Sequence, residues 1–378
     1  MRVCIVGSST HFLSGISYFT LRLASALADR VPVSAILMRQ LIPAALYPGR
    51  DRVGAQLAEV RYPPHVPVFD GVDWYWVPSM WNAARFLTRE RPTHVVFQWW
   101  TGAVLHSFLA LALLQRTLGG KVVIEFHEVQ DPDEAKFPLA RWYVSVFAGL
   151  LMRLANGFVL HSDFDEPFLQ ERFAIGTRPV AVIPHGPYDH HATDDVEPLR
   201  EAPAEACNLL FFGTIRHYKG LEDLVEAFEL ASDAEPGRYW LTVVGETWEG
   251  WTQPIEMIRA SRHARRITLV NRYVTDSEVN RWFAGADAVV LPYRRSSASG
   301  PLHLSMSIGH PTVVTSVGGL PEAAKDYEGI VFVPPADVNA LVDALEQVGD
   351  LRGRRYADPH SWDRSAEGLL QLLQSSGL

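Results

Sequence analysis

The chain has 378 residues, more than one compact core usually encloses, so two domains are expected. Its 48% hydrophobic and 20% charged residues suit an ordinary soluble globular protein, and a net charge of -9 excludes a polyanion-binding surface over the whole molecule while leaving room for a local basic pocket. Two cysteines, Cys4 and Cys207, each in an apolar run, exclude a disulfide framework and fit a reducing cytoplasm.

The opening MRVCIVGSS reads as a strand closing on a glycine turn, without the length or flanks of a signal peptide. In the next loop, GSSTHFLSGIS, Gly7, Ser14 and Gly15 leave the backbone open; SYFTLRLASALA then repeats apolar residues at helical spacing. Further strands are expected at 95–97, 122–126, 158–160 and 180–183, with a helix over 140–155. The apolar stretch AVLHSFLALALL, 103–114, reads as a buried helix, being too short for a bilayer span of about 20 residues. Trp74, Trp76, Trp99 and Trp100 crowd this half and read first as core, with a sugar ring or lipid tail as the other use of such faces.

The polar, proline-rich stretch 185–206 reads as an interdomain linker. After it CNLLFFG echoes RVCIVG, and strands follow at 240–244, 267–270, 288–291, 312–315 and 330–333. Helices are expected at 221–230, 277–284, 301–308 and 338–346. The fold class is therefore α/β, with two Rossmann-like doubly wound domains facing across a cleft, 1–185 and 207–357, a linker at 186–206 and a terminal segment at 358–378. Such sheets bind ligands beyond the carboxyl ends of their strands. Neither opening glycine belongs to a full G-x-G-x-x-G, so the nicotinamide or flavin fingerprint is absent.

Four places carry the candidate chemistry. In SSASGPLHLSMSIG, Ser299 and Gly300 stand where cap residues belong, Pro301 suits the first helical position, and the backbone N–H groups there can hold an anion. In GTIRHYKG, Gly213 ends a strand and Arg216 and Lys219 precede a helix, so two cations reach the strand ends, where phosphate is a suitable partner. His127 ends the strand KVVIEF and could bond a sugar hydroxyl; the fourth place is the Gly7–Gly15 loop. Asp131 and Asp133 make a D-x-D that could serve as a metal-binding pair but reads first as a common proline-containing acidic loop, while Asp189, His190 and His191 lack zinc-site spacing and read as solvated.

Together these stretches resemble family 4 of the retaining glycosyltransferases, which have the GT-B fold. The likeness is carried by GTIRHYKGLEDLVEAF, LTVVG, NRYVTDSEVNRWFAGADAVVLPY, MSIGHPTVVTSVGGLPE and SWDRSAEGLLQLL. It implies a nucleotide-sugar donor, UDP- or GDP-linked, held mostly by the second domain, and a terminal helix returning to the first. It further implies that Arg216 and Lys219 neutralise the diphosphate and that N–H groups around Gly300 to Leu302 hold its terminal phosphate. Tyr273 and Val274 would sit against the base, Gly15 would close over the diphosphate, and His127 would lie near the transferred sugar. Where the family commonly has two glutamates, this alignment has Ser297 and Ser305, which puts the ribose clamp and sugar contacts in doubt.

The activity implied is metal-independent, retaining hexosyl transfer to a sugar, lipid-linked or small-molecule hydroxyl, in glycan, glycolipid or glycosylated-metabolite synthesis. No cofactor and no nucleic-acid partner are expected. The location is the cytoplasm, with the inner membrane face as a place of peripheral contact. Two other readings stay open: a nucleotide-sugar-binding partner protein without transfer activity, and an epimerase of the same fold.

Overall fold

Strands made of uninterrupted apolar residues can only be stable if both faces are covered, and the two sheets are built that way. The computed structural model describes residues 1–9, 15–40, 61–73, 76–127, 138–189 and 196–375. Ser14, Trp74, Asp131, Asp133, His190 and His191 lie outside the described residues. The chain divides into two compact units, Met1–Gly186 with His360–Leu378, and Pro187–Pro359.

In the first unit the strands are β1 (Val3–Ser8), β2 (Val33–Gln40), β3 (Val68–Asp73), β4 (His94–Trp99), β5 (Lys121–Phe126), β6 (Gly157–Leu160) and β7 (Val180–Val182). They form one parallel sheet in the order β3-β2-β1-β4-β5-β6-β7. Its helices are α1 (Gly15–Ala28), α2 (Val77–Glu90), α3 (Leu105–Thr117), α4 (Pro138–Leu154) and α5 (Glu166–Arg172). The strands β2 and β3 were not among those expected. The edge strand VFDGVD is broken by Asp70, Gly71 and Asp73, and Asp73 is buried because Arg39 on β2 pairs with it. Trp99 is buried and stacks on Phe126 at 5.3 Å, so it belongs to the core.

The second unit repeats the plan with β8 (Cys207–Phe212), β9 (Tyr239–Val244), β10 (Ile267–Val270), β11 (Ala288–Leu291), β12 (Thr312–Thr315) and β13 (Ile330–Val333). Their order is β10-β9-β8-β11-β12-β13, again all parallel. The helices are α6 (Leu221–Ala234), α7 (Gln253–Ala260), α8 (Asp276–Ala284), α9 (Gly300–Ile308), α10 (Leu320–Ala324) and α11 (Val338–Asp350). Caps set several of their starts: Thr275 and Glu278 form a reciprocal capping box on α8, and the Asp337 carboxylate accepts from the Ala340 N–H on α11. Of the stretch read as a linker, residues 196–206 lie in this unit. Leu199 N–H donates to the Arg281 carbonyl, and Arg200 donates to the Gly285 carbonyl and the Asp287 carboxylate. A long arginine thus straps a segment whose composition alone looks solvated.

The last helix, α12 (Trp362–Gln374), packs on α1 in the first unit, as the resemblance implied. Trp362 meets the rings of Phe19 at 5.2 Å and Tyr18 at 6.2 Å, and Arg30 pairs with Asp363 at 3.1 Å. A Cβ on Gly186 would sit 2.4 Å from the indole, so glycine is required there by space alone. Trp362→Ala is expected to cost the first unit about 3–5 kcal/mol. Urea unfolding reads this as a lower midpoint; an unchanged midpoint would mean that α12 does not brace the unit.

Candidate functional site

In the second sheet the connections run left from β8 and right from β11, so these neighbouring strands form the switch point where such sheets open a ligand crevice. Gly213 leaves β8 at φ 129° and a Cβ on it would lie 3.7 Å from Pro301, which places the first loop against the start of α9. The two loops are joined further on. Arg294 N–H donates to the Tyr218 carbonyl at 2.8 Å, and Gly220, at φ 63°, sits so close that a Cβ would meet the Pro292 carbonyl oxygen at 2.0 Å.

Three cations occupy this junction, in two different situations. Arg294 is neutralised by Asp223 at 2.7 Å and Glu222 at 3.2 Å. Among the described residues Arg216 and Lys219 have no carboxylate partner. The Arg216 guanidinium lies 4.6 Å from the centre of the Trp248 ring, and its buried Nε has no acceptor. The Lys219 Nζ lies 3.6 Å from the centre of the Tyr293 ring. Burial brings the Lys219 ammonium down to about 8, with Arg216 adding to the fall and Tyr218 opposing it. Two cations held by aromatic faces and left without counter-ions are set to receive an anion. Trp248 and Tyr293 escaped the sequence reading; only the tyrosine of LPY, just past a strand end, gave any signal.

The start of α9 offers less than its composition suggested. Pro301 has no N–H, and the Leu302 N–H is already bonded to the Ser299 hydroxyl at 3.2 Å. The Gly300 N–H is the first-turn donor left without an acceptor among the described residues, since the Leu302 and His303 N–H groups are both bonded. Ser305 is not at this surface. It is fully buried, and its hydroxyl shares a 2.6 Å hydrogen bond with Thr312 on β12. Ser297 is half-buried in a loop backed by the Gly318 turn, where a Cβ would meet the Ser296 carbonyl oxygen at 1.7 Å. At the end of β10, Tyr273 is exposed while the Val274 side chain is packed in the core, which leaves only the valine's backbone to a ligand.

In the first unit Gly15 opens α1, and His127 follows β5 with its N–H bonded to the Trp99 carbonyl at 2.9 Å. The His127 ring meets Phe19 at 4.5 Å and His161 at 4.8 Å, with His185 at 6.4 Å. Burial, helped by those two histidines, holds His127 well below its ordinary value, so the ring is neutral at pH 7, and its buried Nε2 has no partner among the described residues. Burial lowers His161 to about 4 and His185 to about 3, and raises Glu125 to about 8. Gln98 donates to Glu125 and accepts from Thr20. This network joins side chains from several elements, and no local spacing announced it. Among the described residues no group of three or more His, Cys, Asp or Glu is placed to hold a metal ion.

Comparison with known proteins agrees with this organisation. The model for glycosyl transferases group 1 matches residues 206–350, and that for the glycosyl transferase 4-like domain matches 14–186. The chain is 28% identical to glycogen synthase of Mycobacterium tuberculosis (strain CDC 1551 / Oshkosh), over 60% of this chain and 51% of that protein. It is 30% identical to the GDP-mannose:glycolipid 4-beta-D-mannosyltransferase of Xanthomonas campestris pv. campestris, over 44% of this chain and 46% of that protein. It thus spans about half the length of these curated relatives. Among solved structures, Anabaena HepE in complex with UDP and glucose superposes with a TM-score of 0.62 at 14% identity, over 99% of each chain. The chain has the GT-B fold and belongs to the family 4 glycosyltransferases.

Proposed function

We propose that this protein transfers a sugar from a nucleoside-diphosphate sugar to an acceptor hydroxyl, with retention at the anomeric carbon and without a metal. The observation that carries this reading is the pair Arg216 and Lys219 after β8, held on the rings of Trp248 and Tyr293 and lacking carboxylate partners among the described residues. Breaking the bond from anomeric carbon to phosphate oxygen leaves the electron pair, and negative charge, on the diphosphate. Fixed cations stabilise that charge more in the transition state than in the bound donor. The sugar turns oxocarbenium-like. The acceptor oxygen then bonds the anomeric carbon from the face the diphosphate leaves, and its proton passes to a leaving phosphate oxygen. Tyr273, exposed at the end of β10, is the face offered to the base. The neutral His127 ring is suited to bonding a sugar hydroxyl and not to carrying charge. The names of the relatives make UDP- and GDP-sugars the donors to try first.

Thermal stabilisation against a panel of nucleoside diphosphates and their sugars tests the donor assignment, because a ligand that binds only the native state raises the melting temperature. The pH dependence is a second readout. Between about pH 7, where the terminal phosphate of a nucleoside diphosphate has lost its second proton, and about 8 Lys219 keeps its proton and affinity changes little; above it the lysine proton is lost and affinity falls. Lys219→Arg is expected to remove that decline, since arginine stays charged. If no ligand in the panel stabilises the protein, the donor reading fails.

A second reading is favoured by Ser305. Locked to Thr312 in the core, it cannot clamp a ribose, which suits a nucleotide-sugar-binding protein that does not transfer. Tight donor binding with no product on any acceptor would select it.

A further inference from the structure

Helices α3 and α4 each connect neighbouring parallel strands, and α2 crosses back from the edge strand β3 to β4 in the same direction, so the three lie on one face, with α3 packed against both of the others. Their outer surface is unusually apolar. Trp81 is 67% exposed, Val77 68% and Trp142 65%, and Leu113, Val146 and Leu150 are exposed with them. On α4 the exposed residues Trp142, Val146 and Leu150 recur at helical spacing, which makes a stripe and not a scatter. Between α2 and α3 runs an open apolar groove of about 560 Å³, lined by Trp76, Trp81, Met80, Ala110, Leu111 and Leu114.

Charge on this layer is reversed relative to the rest of the chain. Acidic residues outnumber basic ones 43 to 34 overall. On the three helices the described side chains include the exposed arginines Arg85, Arg89, Arg116 and Arg153; Glu90 is the single acid and pairs with Arg89 at 2.8 Å, and Arg116 donates to Asn156, which leaves Arg85 and Arg153 as the charges facing water. Arginine in a last turn complements the helix dipole, which accounts for Arg89, Arg116 and Arg153 taken alone. It does not account for two tryptophans two-thirds in water on the same helices.

We propose that the outer face of α2, α3 and α4 docks onto the surface of an anionic lipid bilayer. Tryptophan and aliphatic side chains enter the headgroup–acyl boundary, the α2–α3 groove seats part of an acyl chain, and the arginines meet lipid phosphates. A second copy of the chain fits worse, because pairing this face with itself sets arginines against arginines. Among the described residues no helix is long and apolar enough to cross a membrane, so the contact lies on the surface. This docking does not rest on the reaction assigned above.

Flotation of the full chain with vesicles of equimolar phosphatidylcholine and phosphatidylglycerol tests it. The protein is expected to float with these vesicles and much less with phosphatidylcholine alone. The double variant Trp81→Glu, Trp142→Glu is expected to stay behind. Arg85→Gln with Arg153→Gln is expected to weaken binding roughly 25-fold, at about fivefold for each arginine. All four positions are exposed, so unchanged melting temperatures are expected and serve as the folding control. Absence of flotation with the mixed vesicles, or flotation of both variants like the parent, overturns the proposal. So does a concentration-dependent dimer that the tryptophan variant disperses, since a second copy would then own this face.

Discussion

Arg216→Ala is expected to lower turnover about 100- to 1,000-fold, the loss typical of removing one preorganised donor from a developing anion. The guanidinium is held over Trp248 with no carboxylate to neutralise it among the described residues, so in the reaction proposed above its whole charge would be available to the leaving diphosphate. Because that charge grows as the glycosidic bond breaks, the fall should appear mainly in kcat and less in KM. Arg216→Lys should recover only part of the rate. Lysine is a point charge without the planar fork that grips two phosphate oxygens, and it would stack less well on the indole. Steady-state kinetics with the donor found by thermal stabilisation measures both variants. Full turnover in a folded Arg216→Ala protein would remove the residue from the chemistry and, with it, the diphosphate from the β8/β11 junction.

Gly220→Ala is the second large effect, and it acts on architecture. The glycine is left-handed at φ 63°, and a Cβ would lie 2.0 Å from the Pro292 carbonyl oxygen. A backbone atom cannot swing aside as a side-chain tip does, so the loops must part. That breaks the Arg294 N–H bond to Tyr218 and draws Lys219 off the Tyr293 ring. Strain and overpacking together should cost the second unit about 2–4 kcal/mol. Gly353→Ala is the control. That glycine is also left-handed, at φ 78°, but no atom stands within 4 Å of its Cβ position, so only the backbone term of about 1–2 kcal/mol remains. Chemical denaturation ranks the two, and equal losses would show that the close approach to Pro292 does not matter. Donor affinity should fall in Gly220→Ala and stay unchanged in Gly353→Ala.

What the sequence disclosed followed the range of the forces involved. Runs such as CNLLFF and KVVIEF are apolar because both faces of a parallel strand are covered, and that is visible in six consecutive letters. The edge strand β3 was not visible, since its buried Asp73 depends on Arg39 from a strand many residues earlier. The same limit applied at the site. Arg216 and Lys219 stand in one loop and Gly300 at the start of α9, in stretches whose chemistry is local, whereas the rings beneath the cations come from other loops. Ser299 is an instructive case. It was legible as a cap, and the act of capping consumes the Leu302 N–H that a phosphate was expected to use. The Ser305 hydroxyl turns inward to Thr312, a direction that spacing along the chain does not report.

The first unit is split in sequence, with α12 belonging to it although the whole second unit intervenes. During synthesis the second unit is the one whose strands and helices emerge without interruption, so it can reach its native state while the earlier half still lacks its closing helix. Until then the sides of Tyr18 and Phe19 that meet Trp362, and the indole-shaped space beside Gly186, are left uncovered. The nascent chain therefore carries an exposed aromatic seam that a chaperone can hold, and the half made first is the half finished last.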